Sequence, residues 1–133
     1  MTYLLDTNAC IAYLRTPRNS VRDRMSAVPR ANMRLCSVVK AELIFGAMRY
    51  AHPAARLSRL AEFFAPFQSL PFDDAAADVY GRLRAELQRA GTPIGPNDLL
   101  IAAIALANDL TVVTHNTGEF GRIDGLSVED WQV

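Results

Sequence analysis

The sequence predicts a three-layer α/β/α sandwich with a mostly parallel central sheet, in a single domain spanning residues 1–133. Three observations carry this expectation. Short apolar runs of strand type alternate with longer segments of helical period, the rhythm of a parallel sheet crossed by helices. Capping residues, prolines and one well-placed glycine punctuate the junctions. The chain has 133 residues, half of them apolar, which suffices for one hydrophobic core.

The elements follow in order. Tyr3 to Asp6 reads as the first strand. Thr7 to Leu14 reads as a helix that Thr7 or Asn8 can cap, and Pro17 breaks it. A second helix runs from about Ser20, its expected cap, to Val28, and Pro29 stops it. Arg34 to Ser37 is the second strand. Ser37 then caps a helix running to about Ala51, with apolar residues from Val38 to Met48. Pro53 opens the next helix at a position that tolerates proline; Leu57, Leu60, Ala61 and Phe64 recur there at helical spacing. Phe67 to Leu70 is the third strand. Asp73 caps a long helix that ends at Gly91. Thr92 to Pro96 is a loop, and Asn97 caps a helix from Asp98 to Asn108. Thr111 to Thr114 is a strand, and Leu126 to Val128 forms a short last one.

Composition narrows the function classes. Charged residues make up 21% of the chain, and mean hydropathy is slightly positive, which excludes disordered and fibrous classes. The apolar stretch from Leu99 to Ala107 is too short to span a bilayer. The chain does not open on a basic-then-apolar leader, so a cytoplasmic location is expected. Cys10 and Cys36 form no Cys-x-x-Cys pair and read as small, reduced core residues. Formal net charge is zero, but its distribution is uneven. Arg15, Arg18, Arg22, Arg24, Arg30 and Arg34 crowd the N-terminal part with only Asp23 among them. From Asp109 onward Glu119, Asp124, Glu129 and Asp130 face a single Arg122. A basic flank beside an acidic pocket suits a polyanion held against a metal; a solvated helix face gives the same pattern.

Four oxygen-bearing side chains fall at comparable places. Asp6 closes the first strand. Glu42 lies about one turn into the helix after the second strand. Asp98 opens a helix, and Asn116 follows the strand Thr111 to Thr114. Strand C-termini and the helix N-termini after them share one edge of a parallel sheet, so all four can converge there. Carboxylates about 4 Å apart repel by roughly 4 kcal/mol at an effective dielectric near 20. Such a cluster takes up protons or binds a cation. Hard oxygen donors without cysteine or a well-placed histidine select Mg²⁺ or Mn²⁺ over zinc. These ions act on phosphate esters, so phosphodiester hydrolysis is the expected reaction. Each residue also has a structural reason to exist: Asp6 as a helix cap, Glu42 on an exposed stripe, Asp98 in a first helical turn, Asn116 in a turn. Gly46, one turn after Glu42, hints at close backbone packing. His115 reads as a loop residue and Trp131 as an anchor for the tail.

The motifs together resemble a known family. Leu5-Asp6-Thr7-Asn8, the run Val39-Lys40-Ala41-Glu42-Leu43-Ile44-Phe45-Gly46-Ala47, the run from Ile94 through Gly95-Pro96-Asn97-Asp98 to Ala103, and Val113-Thr114-His115-Asn116-Thr117-Gly118-Glu119-Phe120 are similar to the PIN-domain ribonucleases. Among these, the VapC-type toxins of bacterial toxin–antitoxin pairs resemble the chain most, over essentially its whole length including the ending Leu126 to Trp131. The resemblance implies a parallel sheet flanked by helices, a metal-dependent endoribonuclease and a homodimer. It implies a cognate VapB-type antitoxin whose tail blocks the acidic pocket. Asp6, Glu42 and Asp98 match the family's acidic metal-binding residues, with Mg as cofactor and Mn as an alternative. Asn116 matches a fourth catalytic position that is often aspartate; here a charge is missing, and Glu119 is a candidate to replace it. Thr7 and Asn8 match positions that orient the first acid or its waters. The most similar subgroup cuts the anticodon stem-loop of initiator tRNA. A second function class stands beside this one: a non-catalytic module that binds an arginine-rich partner through the same pocket. A phosphoacceptor domain fits less well, because such chemistry wants a lysine late in the chain and the only lysine is Lys40.

Overall fold

A computed structural model describes residues 1–133 throughout. Five strands, β1 (Tyr3–Leu5), β2 (Met33–Cys36), β3 (Gln68–Leu70), β4 (Thr111–Val113) and β5 (Val128–Glu129), form one sheet. All pairings are parallel, in the order β3-β2-β1-β4-β5. Seven helices connect them: α1 (Thr7–Arg15), α2 (Ser20–Ala27), α3 (Ser37–Met48), α4 (Ala54–Phe64), α5 (Asp74–Ala90), α6 (Pro96–Ala107) and α7 (Thr117–Phe120). The result is a three-layer α/β/α sandwich, as expected.

Strand order decides where a ligand can bind. The chain builds outward from central β1 through β2 to β3, then crosses back to add β4 and β5 on the other side. The direction of winding therefore reverses between β1 and β4. In open parallel sheets the crevice beyond the strand ends at such a reversal is the usual ligand site. Leu5 pairs with Val113 in this register, so the residues after each, Asp6 and Thr114, lie side by side at the crevice.

The core forms because the central strands are apolar on both faces. Leu4, Leu5, Leu35, Val112 and Val113 are almost fully buried. Helix α6 is apolar nearly all round and places Ile101, Ala102, Ile104 and Ala105 out of water entirely. A large aliphatic side chain so buried stabilises the fold by about 1.5–3 kcal/mol. Trp131 is also buried, meets Tyr3 edge-on with ring centroids 5.0 Å apart and donates its indole N–H to Glu129 at 3.0 Å. The tail is anchored as expected.

Several boundaries differ from the sequence reading, each for a local reason. The first strand stops at Leu5 because Asp6 already caps α1. Asn19, not Ser20, caps α2; its Oδ1 accepts from Arg22 N–H at 2.9 Å while its amide donates to Ala12 O at 2.9 Å. That second bond ties α2 to the end of α1. Ser37 lies inside α3, which has no side-chain cap and ends at Met48 rather than near Ala51. Helix α6 starts at Pro96, with Gly95 in the cap position; Asn97 makes no capping bond. A proline at the first helical position lacks only an N–H that would be unpaired anyway. The one-turn helix α7 was not expected. Asp73 and Gly91 close α5 as read, Gly91 with a left-handed φ of 71°. Gly46 does not serve close packing, since a Cβ there would meet nothing within 4 Å.

Candidate active site

Asp6 is the centre of the site. It is 2% exposed. Its backbone N–H continues the ladder to Val113 O at 3.1 Å, which fixes it at the end of the β1–β4 pair. Its Oδ1 accepts from Ala9 N–H at 2.8 Å. The neighbouring Thr114 hydroxyl also favours its charged form. Burial pushes the Asp6 carboxyl up from 3.8 to about 6. Thr114 and the Ala9 bond oppose that rise, while the nearby charges of Glu42 and Asp130 add to it.

Glu42 comes from α3, and α1 holds it. The Thr7 hydroxyl donates to Glu42 Oε1 at 2.7 Å, across 35 residues of sequence. Thr7 thus orients the second acid, where the sequence led us to expect it on the first. Asn8 is exposed, and no hydrogen bond joins its side chain to a carboxylate, so its expected orienting role has no contact behind it.

Asp98 lies in the first turn of α6, half-buried. Asn116, at the start of α7, donates its amide to Asp98 Oδ2 at 2.9 Å and also to Glu119. Glu119 in turn accepts the Gly95 N–H at 3.2 Å. Asn116 itself is held by its own N–H, which donates to Thr114 Oγ1 at 2.9 Å. Burial raises the Asp98 carboxyl to about 6; Asn116 pulls the other way, and Glu119 and Asp6 push it further up. Glu119 moves down, chiefly because the Asn116 amide favours its charged form. The sequence offered Glu119 only as a stand-in; the two-bond bridge through Asn116 makes it part of the site. His115 pairs with Asp130 at 2.9 Å on the surface.

The arrangement gathers Asp6, Glu42, Asp98, Asn116 and Glu119 around the crevice, and Asp6 feels both Glu42 and Asp98 electrostatically. As the side chains stand, however, no three of the acids are disposed to grip one ion together. Each is occupied by its own donor: Ala9 on Asp6, Thr7 on Glu42, Asn116 on Asp98. The donor set still fits a hard divalent cation. It consists of carboxylate and amide oxygens, and none of Asp6, Glu42, Asp98 and Glu119 has an ion-pair partner. Mg²⁺ typically keeps several waters and takes only one or two carboxylates directly, so a three-carboxylate grip is not required. The same charge is what an arginine side chain of a partner would also satisfy.

A parallel sheet with an acidic cluster at its winding reversal is a fold and site shared by a definite class of proteins. Residues 3–126 match the PIN domain, and the chain belongs to the PIN-domain family, in its branch of VapC ribonucleases. It is 40% identical over 131 residues to the tRNA(fMet)-specific endonuclease VapC of Shigella flexneri, and 38% identical to that of Salmonella typhimurium, covering 98% of each pair of chains. Ribonuclease VapC2 of Rickettsia felis is 36% identical over 132 residues, again with 98% of both chains covered. Among solved structures, DNA-bound VapBC from Salmonella typhimurium superposes with a TM-score of 0.92 at 38% identity, covering 98% of both chains. VapBC2 from Rickettsia felis, bound to a promoter DNA fragment, gives 0.92 at 35% identity over 98% of this chain and 99% of the other.

Proposed function

We infer that the chain is the toxin of a type II toxin–antitoxin pair, a magnesium-dependent endoribonuclease that hydrolyses RNA phosphodiester bonds. The single observation behind the metal dependence is the state of Asp6 and Asp98. Both carboxyls are raised to about 6, first by burial and then by neighbouring acids, Glu42 and Asp130 beside Asp6, and Glu119 and Asp6 beside Asp98, and no protein cation pairs with either. A divalent ion held by Asp6 and Asp98 would supply that charge, and with it the means to polarise a phosphoryl oxygen and to lower the pKa of water.

The chain's own residues set the geometry. Asp6 and Asp98 are the principal ion-holding acids, with Glu42 as the third. Thr7 fixes the rotamer of Glu42, and Asn116 fixes Asp98 against Glu119. Asp6 has almost no freedom, because β1, β4 and the α1 cap all hold it. Preorganised groups of this kind spend no free energy on reorganising when charge develops at phosphorus.

The substrate proposed is the anticodon stem-loop of initiator tRNA. The support is the name tRNA(fMet)-specific endonuclease carried by relatives 40% and 38% identical over nearly the whole chain. The partner proposed is a VapB-type antitoxin whose basic tail occupies the acidic crevice, supported by neighbours solved as VapBC complexes; the toxin itself is proposed to be a homodimer. Purified chain is expected to cut initiator tRNA with Mg²⁺ and to leave it whole with chelator. Asp98→Asn is expected to abolish cutting without loss of helix content. Equal RNA loss with and without chelator defeats the metal-dependent reading. Sequencing the RNA ends formed during brief expression identifies the substrate, and ends outside that tRNA defeat the substrate assignment.

A further inference from the structure

A cleft of about 430 Å³ opens beside Glu42, walled by residues of α1, α3, α4 and the α3–α4 turn. Arg15, Arg49, Arg56 and Arg59 line it, and Glu42 is its only acid. All four arginines are exposed, and none of them forms an ion pair with a carboxylate. Arg59 donates to the Leu14 carbonyl, but four guanidinium groups without a carboxylate partner in one cleft repel one another and are relieved by a ligand that repeats its negative charge. The cleft also offers a stacking surface. The Arg56 guanidinium lies 3.5 Å from the Tyr50 ring centroid, and Tyr50 remains 51% exposed.

We propose that this cleft is the track for the RNA strand flanking the bond that is cut, with the arginines binding backbone phosphates and the Tyr50–Arg56 pair carrying a base. The inference rests on the ribonuclease reading and deepens it by naming where the strand leaves the site. A phosphate chain that passes the acids meets a favourable charge past Glu42, where the arginines line the cleft. On the Asp98 side of the site the strand would instead meet Glu119. Single-strand binders combine this pair of features, a cationic groove along the backbone and an aromatic face for bases. An acidic stretch of a partner protein is the rival occupant. Continuity with Glu42 and the open Tyr50 face favour RNA.

The test uses the full chain carrying Asp98→Asn, so that RNA is bound and not cut. Binding of a fluorescein-labelled anticodon stem-loop RNA is followed by anisotropy over a potassium chloride series. Arg49→Ala with Arg56→Ala is expected to weaken binding about 10- to 100-fold near 0.1 M salt and to flatten the log–log salt dependence by roughly 0.7–0.9 per lost phosphate contact. Tyr50→Ala is expected to weaken binding about fivefold or more without changing that slope. Arg49→Lys with Arg56→Lys keeps the charge and is expected to keep most of the slope, which separates loss of contact from loss of fold. Arg82→Ala on α5, in a surface ion pair with Asp78, is expected to change neither quantity. A double alanine variant with the parent's affinity and slope overturns the proposal. So does one that binds RNA normally and loses only its partner protein in co-purification, since the cleft then belongs to that protein. Cleavage by the chain without Asp98→Asn is run alongside. No cleavage there defeats the ribonuclease reading, whereas intact cleavage with an unchanged salt slope defeats the track alone.

Discussion

Replacing Asp6 with asparagine should make the metal-free protein more stable and the enzyme inactive. The magnitude comes from the carboxyl itself. Its folded pKa is about 6 against an ordinary 3.8, and one unit corresponds to 1.36 kcal/mol. The ionised form is therefore disfavoured in the fold by about 3 kcal/mol near pH 7.5. The sign follows from linkage. A carboxyl whose folded pKa is raised favours the fold most below pH 3.8, and that contribution is lost as pH rises through about 6. Asparagine caps a helix as well as aspartate does and carries no charge to desolvate. Its amide hydrogens need partners in a buried place, which offsets about 1 kcal/mol of the gain. A net gain of about 2 kcal/mol remains near neutral pH.

For a chain of 133 residues, an unfolding entropy of about 2.1 cal/mol/K per residue converts that gain to a rise in Tm of about 7 °C. The assay is thermal unfolding followed by circular dichroism in chelator, from pH 4 to pH 8. The variant should melt higher than the parent at pH 7.5, and the difference should shrink towards pH 4. Added Mg²⁺ should raise the Tm of the parent and leave that of Asp6→Asn nearly unchanged. A variant that melts at or below the parent at pH 7.5, or whose advantage is the same at both ends of the range, refutes the claim that an uncompensated buried charge sits at Asp6.

Other perturbations read different links. Thr7→Val removes the donor to Glu42 and should lower kcat by about 10-fold or more with a Tm change of a few degrees; Thr7→Ser should recover most of the rate, and full activity of the valine variant excludes a positioning role. Asn116→Asp replaces a donor shared by Asp98 and Glu119 with a third carboxylate. Metal-free stability near pH 7.5 should fall by about 1–3 kcal/mol, and Mg²⁺ titrated by calorimetry should bind more tightly; unchanged stability shows that the Asn116 bridge carries little. Trp131→Ala should cost about 3–5 kcal/mol through the cavity it leaves beside Tyr3, seen as a large drop in the urea midpoint, and a drop under 1 kcal/mol means the tail is not anchored there.

Much of the fold was legible because its signals are local. Apolar runs at Tyr3–Leu5 and Thr111–Val113, Asp73 before α5 and Gly91 after it each act within a few residues. Strand order was not legible, because it depends on which strands pair across long loops, and nothing near β4 announces that it inserts beside β1. The same distinction explains the site. Asp6, Glu42 and Asp98 were visible as acids at a strand end or in the early turns of a helix. The clamps on them were assigned to the wrong partners or missed, since Thr7 reaches an acid 35 residues away and Asn116 one 18 residues away. Asn97 misled because a capping residue beside Pro96 looks like a cap, although proline at the first turn had already fixed the start at Gly95. Helix α7 is too short to show a period.

Capping and metal binding looked like rival explanations of Asp6, yet they are compatible. The cap is real: Oδ1 accepts the Ala9 N–H at 2.8 Å. Capping alone does not account for a carboxylate there. Serine, threonine and asparagine cap comparably, and none brings a charge into a position that is 2% exposed. Burying an ionised group without a counter-charge costs far more than a cap returns. The field of the α1 N-terminus and the Thr114 hydroxyl recover part of that cost, yet the carboxyl still rests about two units above its ordinary pKa. At neutral pH the residue is thus charged, buried and underpaid by its own fold. A cation in the crevice beyond the paired ends of β1 and β4 would supply the missing charge.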